Sequence, residues 1–281
     1  MSKQDDERNR FSARASRYVR VGTNVGAVAA RMAGQRYLGV KYDDEQSAKE
    51  LAAALGGLKG PLMKVAQLMS TIPEALPKEY ARELAQLQSE APSMGPAFVR
   101  RRMKAELGPD WRTHFADFDE TAVAAASLGQ VHRATAHDGT KLACKLQYPD
   151  MQSAIEADLA QLKVVFQVHA RMSAGVDTKK IYEEISARLR EELDYDLEAC
   201  HTRLYGAIFN GDTVVNVPSV QNDLSTKRLL TLTWCDGQKL LSYKDHPLQQ
   251  RNDIARAMFR AWWHPFSHFG VIHGDPHLGN Y

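Results

Sequence analysis

Hydrophobic and polar positions change their spacing along the chain, from a helical period to a strand-like one and back. Residues 1 to about 90 are dominated by helix formers, with turns at Gly56-Gly57 and Gly60-Pro61. Phe98 to Leu107 predicts a further helix, which Gly108-Pro109 ends. The front of the chain is therefore expected to be all-helical.

A β-type pattern takes over between Trp111 and Tyr148. Two strand-like runs, Gln130 to Ala134 and Lys141 to Gln147, flank the turn residues His137-Asp138-Gly139-Thr140. An Asp-Gly pair between two such runs is a strong hairpin signal.

Helices and two more short strands are predicted after the hairpin. Residues 150 to 172 and 178 to 206 are rich in Glu, Leu, Ala, Lys and Arg, and Asp177-Thr178 is a suitable start for the second helix. Val214 to Val217 and Arg228 to Trp234 predict strands, and Arg251 to Phe266 predicts a helix. This order indicates an α+β fold.

Composition narrows the class of protein. The chain has 281 residues, of which 44% are hydrophobic and 25% charged, so it can form a sizeable core and two structural units. Its three cysteines are widely separated and form no CxxC pair, which favours a reducing cytoplasm over a disulfide framework. A net charge of +2 gives no support for a nucleic-acid partner.

Two interpretations remain for the N-terminal segment. Arg10, Arg14, Arg17 and Arg20 recur at approximately helical spacing, and a basic amphipathic helix can lie on an anionic membrane surface. A solvated helix end or a frayed tail explains the same pattern. No apolar run is long enough to cross a bilayer, so we expect a cytoplasmic protein that associates at most peripherally with the inner face of a membrane.

The last residues carry the spacing of a kinase catalytic loop. In His273-Gly274-Asp275-Pro276-His277-Leu278-Gly279-Asn280, an Asp is followed five residues later by an Asn. In such loops the Asp positions the attacking hydroxyl and the Asn binds magnesium beside the nucleotide phosphates. A second metal-binding Asp normally follows, so we expect the chain to be truncated just after this loop.

Strands, helices, further strands and then this loop follow the order of a protein-kinase-like fold, and residues 55 to 281 resemble the UbiB/AarF/ADCK family of atypical kinases. We expect a helical N-terminal extension over 1–110, a β-rich small lobe with inserted helices over 111–235, and the start of a helical large lobe over 236–281. The segment Leu232 to Gly237 matches the hinge after which such chains enter the large lobe.

The resemblance implies a nucleotide site in the small lobe. The alanine-rich loop Ala124-Ala125-Ala126-Ser127 stands where protein kinases have a glycine-rich loop over the phosphates, and Lys145 matches the VAIK-type lysine. Among its apolar neighbours Leu142, Cys144 and Leu146, this lysine is expected to need a carboxylate or a phosphate.

Carboxylates that match the family motifs lie within the predicted helix 178–206. The family's ExD motif maps onto Glu192 and Asp194, and Glu198 maps onto the salt-bridge partner of Lys145. On a continuous helix Glu191, Asp194 and Glu198 would share one face.

A third motif lies in the front helical region. Lys64-Val65-Ala66-Gln67 resembles the family's KxGQ motif, whose Lys and Gln reach toward the nucleotide site, although Ala66 replaces the glycine. In the family this extension covers the surface where protein kinases receive a peptide. The resemblance therefore implies a small molecule, a lipid-related acceptor, or ATP hydrolysis coupled to a partner.

We therefore predict an atypical kinase or ATPase that binds ATP or ADP with Mg²⁺, with Asn280 as the metal ligand present in the chain, and that acts with ubiquinone-biosynthesis proteins. Two alternatives stay open: a phosphotransferase like the aminoglycoside and choline kinases, and a nucleotide-binding regulator without turnover. His264 and His268, four residues apart, also suggest zinc, but a site would need a further ligand from the loop.

Overall fold

The computed structural model describes residues 93–125, 128–172 and 178–274; within the helix that spans 151–172 it describes the side chains of 151–160 and 163. The predicted helical region before residue 93 lies outside the described residues. Five α-helices and four strands fall inside them. The helices are α1 (Pro96–Leu107), α2 (Met151–Met172), α3 (Thr178–Glu191), α4 (Tyr195–Ile208) and α5 (Leu248–Phe269). The strands are β1 (Asp117–Ala125), β2 (Gly129–Thr135), β3 (Lys141–Gln147) and β4 (Leu229–Thr233).

The strands form one antiparallel sheet in the order β1-β2-β3-β4, which confirms an α+β architecture. The predicted hairpin joins β2 to β3. Its turn is fixed by Asp138, whose Oδ1 accepts the N–H of Thr140 at 2.9 Å, and by Gly139, which has a φ of +87°. A glycine adopts this left-handed conformation without the steric cost of a Cβ, and the hairpin predicted from the Asp-Gly pair is confirmed.

Two predicted elements differ from the structure. The helix predicted over 178–206 is interrupted, because α3 ends at Glu191 and α4 begins at Tyr195 after a three-residue turn. The strand predicted over Val214 to Val217 is wrong. The Oδ1 of Asp212 accepts the N–H groups of Val214 and Val215 at 2.8 and 3.0 Å, so these donors are not available to a neighbouring strand.

By its internal packing the chain divides into two compact units. The first contains residues 122–131 and 146–194, together with the described residues 93–98. In it α2 packs along α3, and Arg190 binds both carboxylate oxygens of Glu156 at 2.8 and 3.1 Å. Its core includes Ile155 and Leu189, which are almost fully buried.

The second unit contains residues 99–121 and 132–145 and everything described from Tyr195 onward. One part of its core is aromatic: Phe118 contacts Trp111 and Phe115 edge to face, and it stacks on the buried ring of His132. Another part lies between α4 and β4, where Tyr195 and Ala199 pack on Leu230.

Helix α5 ends in a way that sets the chain's path toward the predicted catalytic loop. Gly270 has a φ of +66°, and the N–H groups of Gly270 and Val271 donate to the carbonyls of Phe266 and Pro265 at 3.1 Å. This is the left-handed glycine cap that commonly ends helices. Among the residues described, none of the helices is both long enough and apolar enough to cross a membrane.

Candidate functional site

Lys145 and Glu198 form the predicted ion pair, which is thereby confirmed. The Nζ of Lys145 donates to Oε1 and Oε2 of Glu198 at 2.8 and 2.7 Å, across 53 residues of sequence. Their side chains are 30% and 37% exposed, so the pair lies at a surface rather than in the core. The pair joins the centre of the sheet to α4.

Lys145 and its apolar sequence neighbours lie on opposite faces of β3. Because side chains alternate along a strand, Leu142, Cys144 and Leu146 point to the opposite face, and all three are buried. Lys145 shares its face with Ala143 and Gln147. The predicted pairing is right, but an apolar environment made by the adjacent residues is not its cause.

Helix α4 positions the carboxylate. Glu198 lies in its first turn, where the positive end of the helix dipole favours a negative charge. The side chain of Thr202, one turn later, donates to the backbone carbonyl of Glu198 at 2.8 Å. The carboxylate that faces Lys145 is therefore held on a well-anchored helical turn.

Tyr195 also contacts Lys145, and the sequence analysis did not identify it. The Nζ of Lys145 lies 4.9 Å from the centroid of the Tyr195 ring, and the tyrosine is 1% exposed. A signal was present in the sequence, since an aromatic residue three positions before Glu198 falls on the same face of a helix.

The ExD residues lie in the turn between α3 and α4. The backbone N–H groups of Glu192 and Asp194 donate to the carbonyls of Arg188 and Glu191 at 3.1 and 3.0 Å. The expectation that Glu191, Asp194 and Glu198 share one face of a continuous helix is therefore wrong. Glu192 is half-buried and Asp194 is exposed.

The alanine-rich segment begins on a strand. Ala124 and Ala125 are the last two residues of β1 and are exposed, while Ala126 and Ser127 lie outside the described residues. Half of the predicted loop is thus strand. Lys64, Gln67, Asp275 and Asn280 also lie outside the described residues, so their predicted roles stay predictions.

The predicted hinge follows β4. The N–H of Trp234 donates to the carbonyl of Lys141 at 2.8 Å, and the guanidinium of Arg133 lies 4.4 Å from the centre of its indole ring. The chain then runs through Cys235 to Gly237 without regular secondary structure and with exposed side chains. Within the described part of the chain, no backbone hydrogen bond uses the N–H or C=O groups of these three residues.

The thiol of Cys144, the residue before Lys145, is unreactive. Cys144 is fully buried, and burial raises the pKa of its thiol to about 12. Its sulfur lies 3.8 Å from the hydroxyl of Thr231 on β4. A thiol with this pKa stays protonated at neutral pH, so Cys144 is not a nucleophile here.

The two histidines considered for zinc pack among aromatic rings. His264 and His268 have ring centroids 4.4 Å apart, and His264 also contacts Phe209 and Phe269. Across residues 93–125, 128–172 and 178–274, no three His, Cys, Asp or Glu side chains converge in a way that could hold a metal ion.

A cavity of about 500 Å³ lies along the later turns of α4, but it does not include Lys145 or Glu198. Its walls come from Thr202 to Phe209 on one side and from the segment that follows Asn210 on the other. The polar groups of its wall bind one another, as in the 2.5 Å bond from Arg203 Nη2 to Asn222 Oδ1. The cavity therefore does not coincide with the residues predicted for the nucleotide site.

The chain matches known proteins in both sequence and structure. A sequence profile of the ABC1 atypical kinase-like domain matches residues 86–281. The chain is 35% identical over 226 residues to Protein ACTIVITY OF BC1 COMPLEX KINASE 7, chloroplastic, of Arabidopsis thaliana, which covers 79% of this chain and 32% of that protein. It is 29% identical over 225 residues to Atypical kinase COQ8, mitochondrial, of Saccharomyces cerevisiae, which covers 80% of this chain and 45% of that protein. The chain thus spans less than half the length of these relatives.

A solved structure shares the fold. The chain of Rv3197 from Mycobacterium tuberculosis, determined in complex with erythromycin, matches with a TM-score of 0.61 and 33% sequence identity. The match covers 84% of this chain and 60% of that one, and it supports a protein-kinase-like fold. The profile match covers residues 86–281, which is well over half of the chain. This chain therefore belongs to the ABC1 atypical kinase-like family, the UbiB/AarF/ADCK group that its motifs resemble.

Proposed function

We propose that this chain binds an adenine nucleotide, ATP or ADP, together with Mg²⁺, and acts as an atypical kinase or ATPase domain. The observation that carries the proposal is the bidentate contact between Lys145 Nζ and the carboxylate of Glu198. In protein kinases the equivalent pair holds the lysine against the nucleotide phosphates.

The energetics of the pair favour a binding role over a purely structural one. Ion pairs at this level of exposure contribute only about 0–1 kcal/mol to stability, so the fold gains little from it. What the pair does is to fix a positive charge at one place on the sheet. The ammonium group has three N–H donors and two are used by Glu198, which leaves one for a phosphate oxygen.

The hinge provides a second element of the proposed site. The backbone N–H and C=O groups of Cys235, Asp236 and Gly237 make no backbone hydrogen bond within the described residues, so they can pair with the edge of a base. Asp236 also accepts a hydrogen bond from the indole Nε1 of Trp234 at 2.8 Å, which fixes the conformation of the segment where it leaves β4. This arrangement suits adenine recognition through the backbone.

The remaining roles follow from the catalytic-loop motif. We assign Asp275 to positioning the attacking hydroxyl or water and Asn280 to binding Mg²⁺, which would neutralise phosphate charge when bound. An amide oxygen is a ligand type that Mg²⁺ accepts, usually with carboxylates, phosphates and water completing the octahedron. Both assignments rest on the spacing of the two residues in the sequence.

The acceptor is proposed from the family resemblance. The KxxQ residues Lys64 and Gln67, with Glu192 and Asp194, match elements that cover the peptide-binding surface in the family. We therefore propose a small-molecule or lipid-related acceptor, or coupled ATP hydrolysis, in support of ubiquinone or other isoprenoid-lipid metabolism. The basic N-terminal segment is proposed to contact anionic lipid.

Nucleotide titration of three variants tests the proposal. Lys145→Met and Glu198→Gln should each weaken binding of ATP by about tenfold or more, because a charge-assisted hydrogen bond is worth roughly 1.5–3 kcal/mol. Lys141→Met is the matched control. Lys141 lies on the same face of the same strand, and among the described residues its Nζ donates to the hydroxyl of Thr135 at 3.1 Å. Equal affinity for all four chains would refute the proposed site.

Turnover separates the remaining candidate functions. Release of phosphate from ATP with Mg²⁺, lost on Asp275→Asn, supports a kinase or ATPase. Saturable ATP binding with no phosphate release and no transfer supports a regulator without turnover. Transfer to an aminoglycoside or to choline would instead support the alternative phosphotransferase class.

A further inference from the structure

We propose that Tyr195 is a positioning residue for Lys145, an inference that rests on the proposed nucleotide site. The face of the Tyr195 ring lies 4.9 Å from the lysine Nζ, within the range in which an ammonium ion is attracted to an aromatic ring. No motif match pointed to this residue. It directly follows Asp194 in the chain and begins α4.

Two groups on one helix hold the same ammonium group. Tyr195 and Glu198 are three residues apart, so they project from the same side of the first turns of α4. Glu198 binds two of the N–H groups of Lys145 through its oxygens, and Tyr195 contacts the cation from its ring face. A flexible lysine side chain held at two points has fewer accessible rotamers than one held by a carboxylate alone.

The tyrosine can act in this way because its own position is fixed. It is 1% exposed and packs with Ala199 and with Leu230 of β4, and Val220 and Leu232 border the same cluster. In the sheet β4 is the neighbour of β3, the strand that carries Lys145. The ring is therefore held by the strand next to the one whose lysine it contacts.

A simpler account treats Tyr195 as a core residue for which any large apolar side chain would serve. The two accounts differ in what they require. Core packing needs volume, whereas contact with a cation needs the electron-rich face of an aromatic ring. Replacement by phenylalanine keeps both properties, and replacement by leucine keeps an apolar side chain but removes the ring.

The first test needs no nucleotide. In the unsubstituted chain, the Hε protons of Lys145, assigned by their absence from Lys145→Met, should lie upfield of those of the exposed lysines, because the adjacent Nζ lies over the ring of Tyr195. Tyr195→Phe should keep the upfield position and Tyr195→Leu should lose it. Lys145 protons at the ordinary lysine position in the unsubstituted chain would overturn the inference even if the leucine variant does not fold.

The second test measures ATP affinity of the same variants beside Leu230→Val, which alters the same core cluster without touching Lys145. Tyr195→Leu should bind ATP about fivefold more weakly, which is about 1 kcal/mol at 1.4 kcal/mol per tenfold and within the cation–π range. Tyr195→Phe and Leu230→Val should stay within about twofold of the unsubstituted chain. An equal loss in Leu230→Val and Tyr195→Leu would show that packing alone is responsible.

The two tests also separate this inference from the proposed function. If the unsubstituted chain does not bind ATP, the proposed function fails, but the proton shift still reports whether Tyr195 holds Lys145. If ATP binds and depends on Lys145 while Tyr195→Leu changes neither the shift nor the affinity, only the positioning role fails.

Discussion

Arg260 on α5 binds Asp212, 48 residues earlier in the chain, through two nitrogens. Its Nε and Nη2 donate to Oδ2 of Asp212 at 2.7 and 2.5 Å, while Oδ1 accepts the N–H groups of Val214 and Val215. The guanidinium and these two backbone donors lower the pKa of Asp212 from 3.8 to about 2. A single carboxylate therefore ties the loop after α4 to α5 and also shapes that loop.

This carboxylate should make folding stability depend on acid. The pKa of Asp212 is lower in the folded chain than in the unfolded one, so its contribution is present above about pH 4 and is lost as the pH falls from 3.8 toward 2. Asp212→Asn should reduce the difference in urea midpoint between pH 6 and pH 3. Asp245→Asn, at an exposed position, serves as the control. An unchanged acid dependence in Asp212→Asn would contradict the assignment.

His132 should produce a pH dependence near neutrality. Burial lowers its pKa below 6.5, although the carbonyl of Asp119, 2.9 Å from its Nδ1, acts in the other direction. Below pH 6.5 the unfolded chain takes up a proton that the folded chain does not, so stability should fall as the pH decreases through this range. His132→Gln should show a weaker dependence of the urea midpoint between pH 8 and pH 5.5. His137→Gln, at an exposed histidine, should keep the dependence of the unsubstituted chain.

Glu106 should be far more important for stability than its position at the end of α1 suggests. Its side chain is 6% exposed and accepts hydrogen bonds from Arg228 Nε at 2.8 Å and from the hydroxyl of Thr226 at 2.7 Å. Removing its charge leaves the partly buried guanidinium of Arg228 without its carboxylate. Glu106→Gln should therefore reduce the free energy of unfolding by roughly 3–5 kcal/mol, measured by urea denaturation.

Glu120 provides the matched control for that measurement. It binds two arginines, Arg100 and Arg112, and both of these are more than half exposed. Glu120→Gln should cost no more than about 1 kcal/mol, as is usual for surface ion pairs. An equal decrease in the free energy of unfolding of Glu106→Gln and Glu120→Gln would show that burial does not determine how much these ion pairs stabilise the fold.

The exposed aromatic face of α5 should promote self-association. Trp263, Phe266 and Phe269 are each about half exposed, at 52%, 49% and 56%, and Phe259 stacks on Trp263. Exposed apolar patches of this kind favour association. Trp263→Ser combined with Phe266→Ser should lower the scattering intensity measured at increasing protein concentration. Leu248→Ser, which is exposed at the start of the same helix, should have a smaller effect.

Motif spacing predicted more of the site than hydrophobic pattern did. The contact between Lys145 and Glu198 joins residues 53 positions apart, and only the match to a known arrangement could pair them. The Asp-Gly hairpin, in contrast, follows from local backbone preferences, and it was predicted without a family.

The break between α3 and α4 is not evident from the helix-forming composition of residues 178 to 206, but the order of charged residues along this segment indicates it. Arg188 and Arg190 lie in the last turn of α3, and Asp196 and Glu198 lie in the first turn of α4. Basic residues followed by acidic ones are the order that the dipoles of two successive helices favour. Asp194 is also a residue type preferred just before a helix. Helix propensity alone does not reveal such a boundary, because the residues on both sides of it are good helix formers.

The error over Val214 to Val217 has another origin. The three valines of this segment favour a strand, but the side chain of Asp212 accepts the first two N–H groups, and Pro218 has no N–H to donate. Hydrophobic pattern reports which side chains can be buried, not whether the backbone donors are available. Asp212 precedes the segment, so its effect could be suspected only by reading the polar residue before the apolar run.

Because Cys144 is buried, the rate at which a reagent modifies its thiol reports how often the sheet opens. Cys200 and Cys235 are exposed, so a thiol reagent should modify these two quickly and reach the third only when β3 separates from its neighbours. The rate of that slow modification, followed by mass spectrometry, measures how often the strand that carries Lys145 opens under native conditions. A nucleotide that contacts this strand should slow that rate without changing the two fast ones.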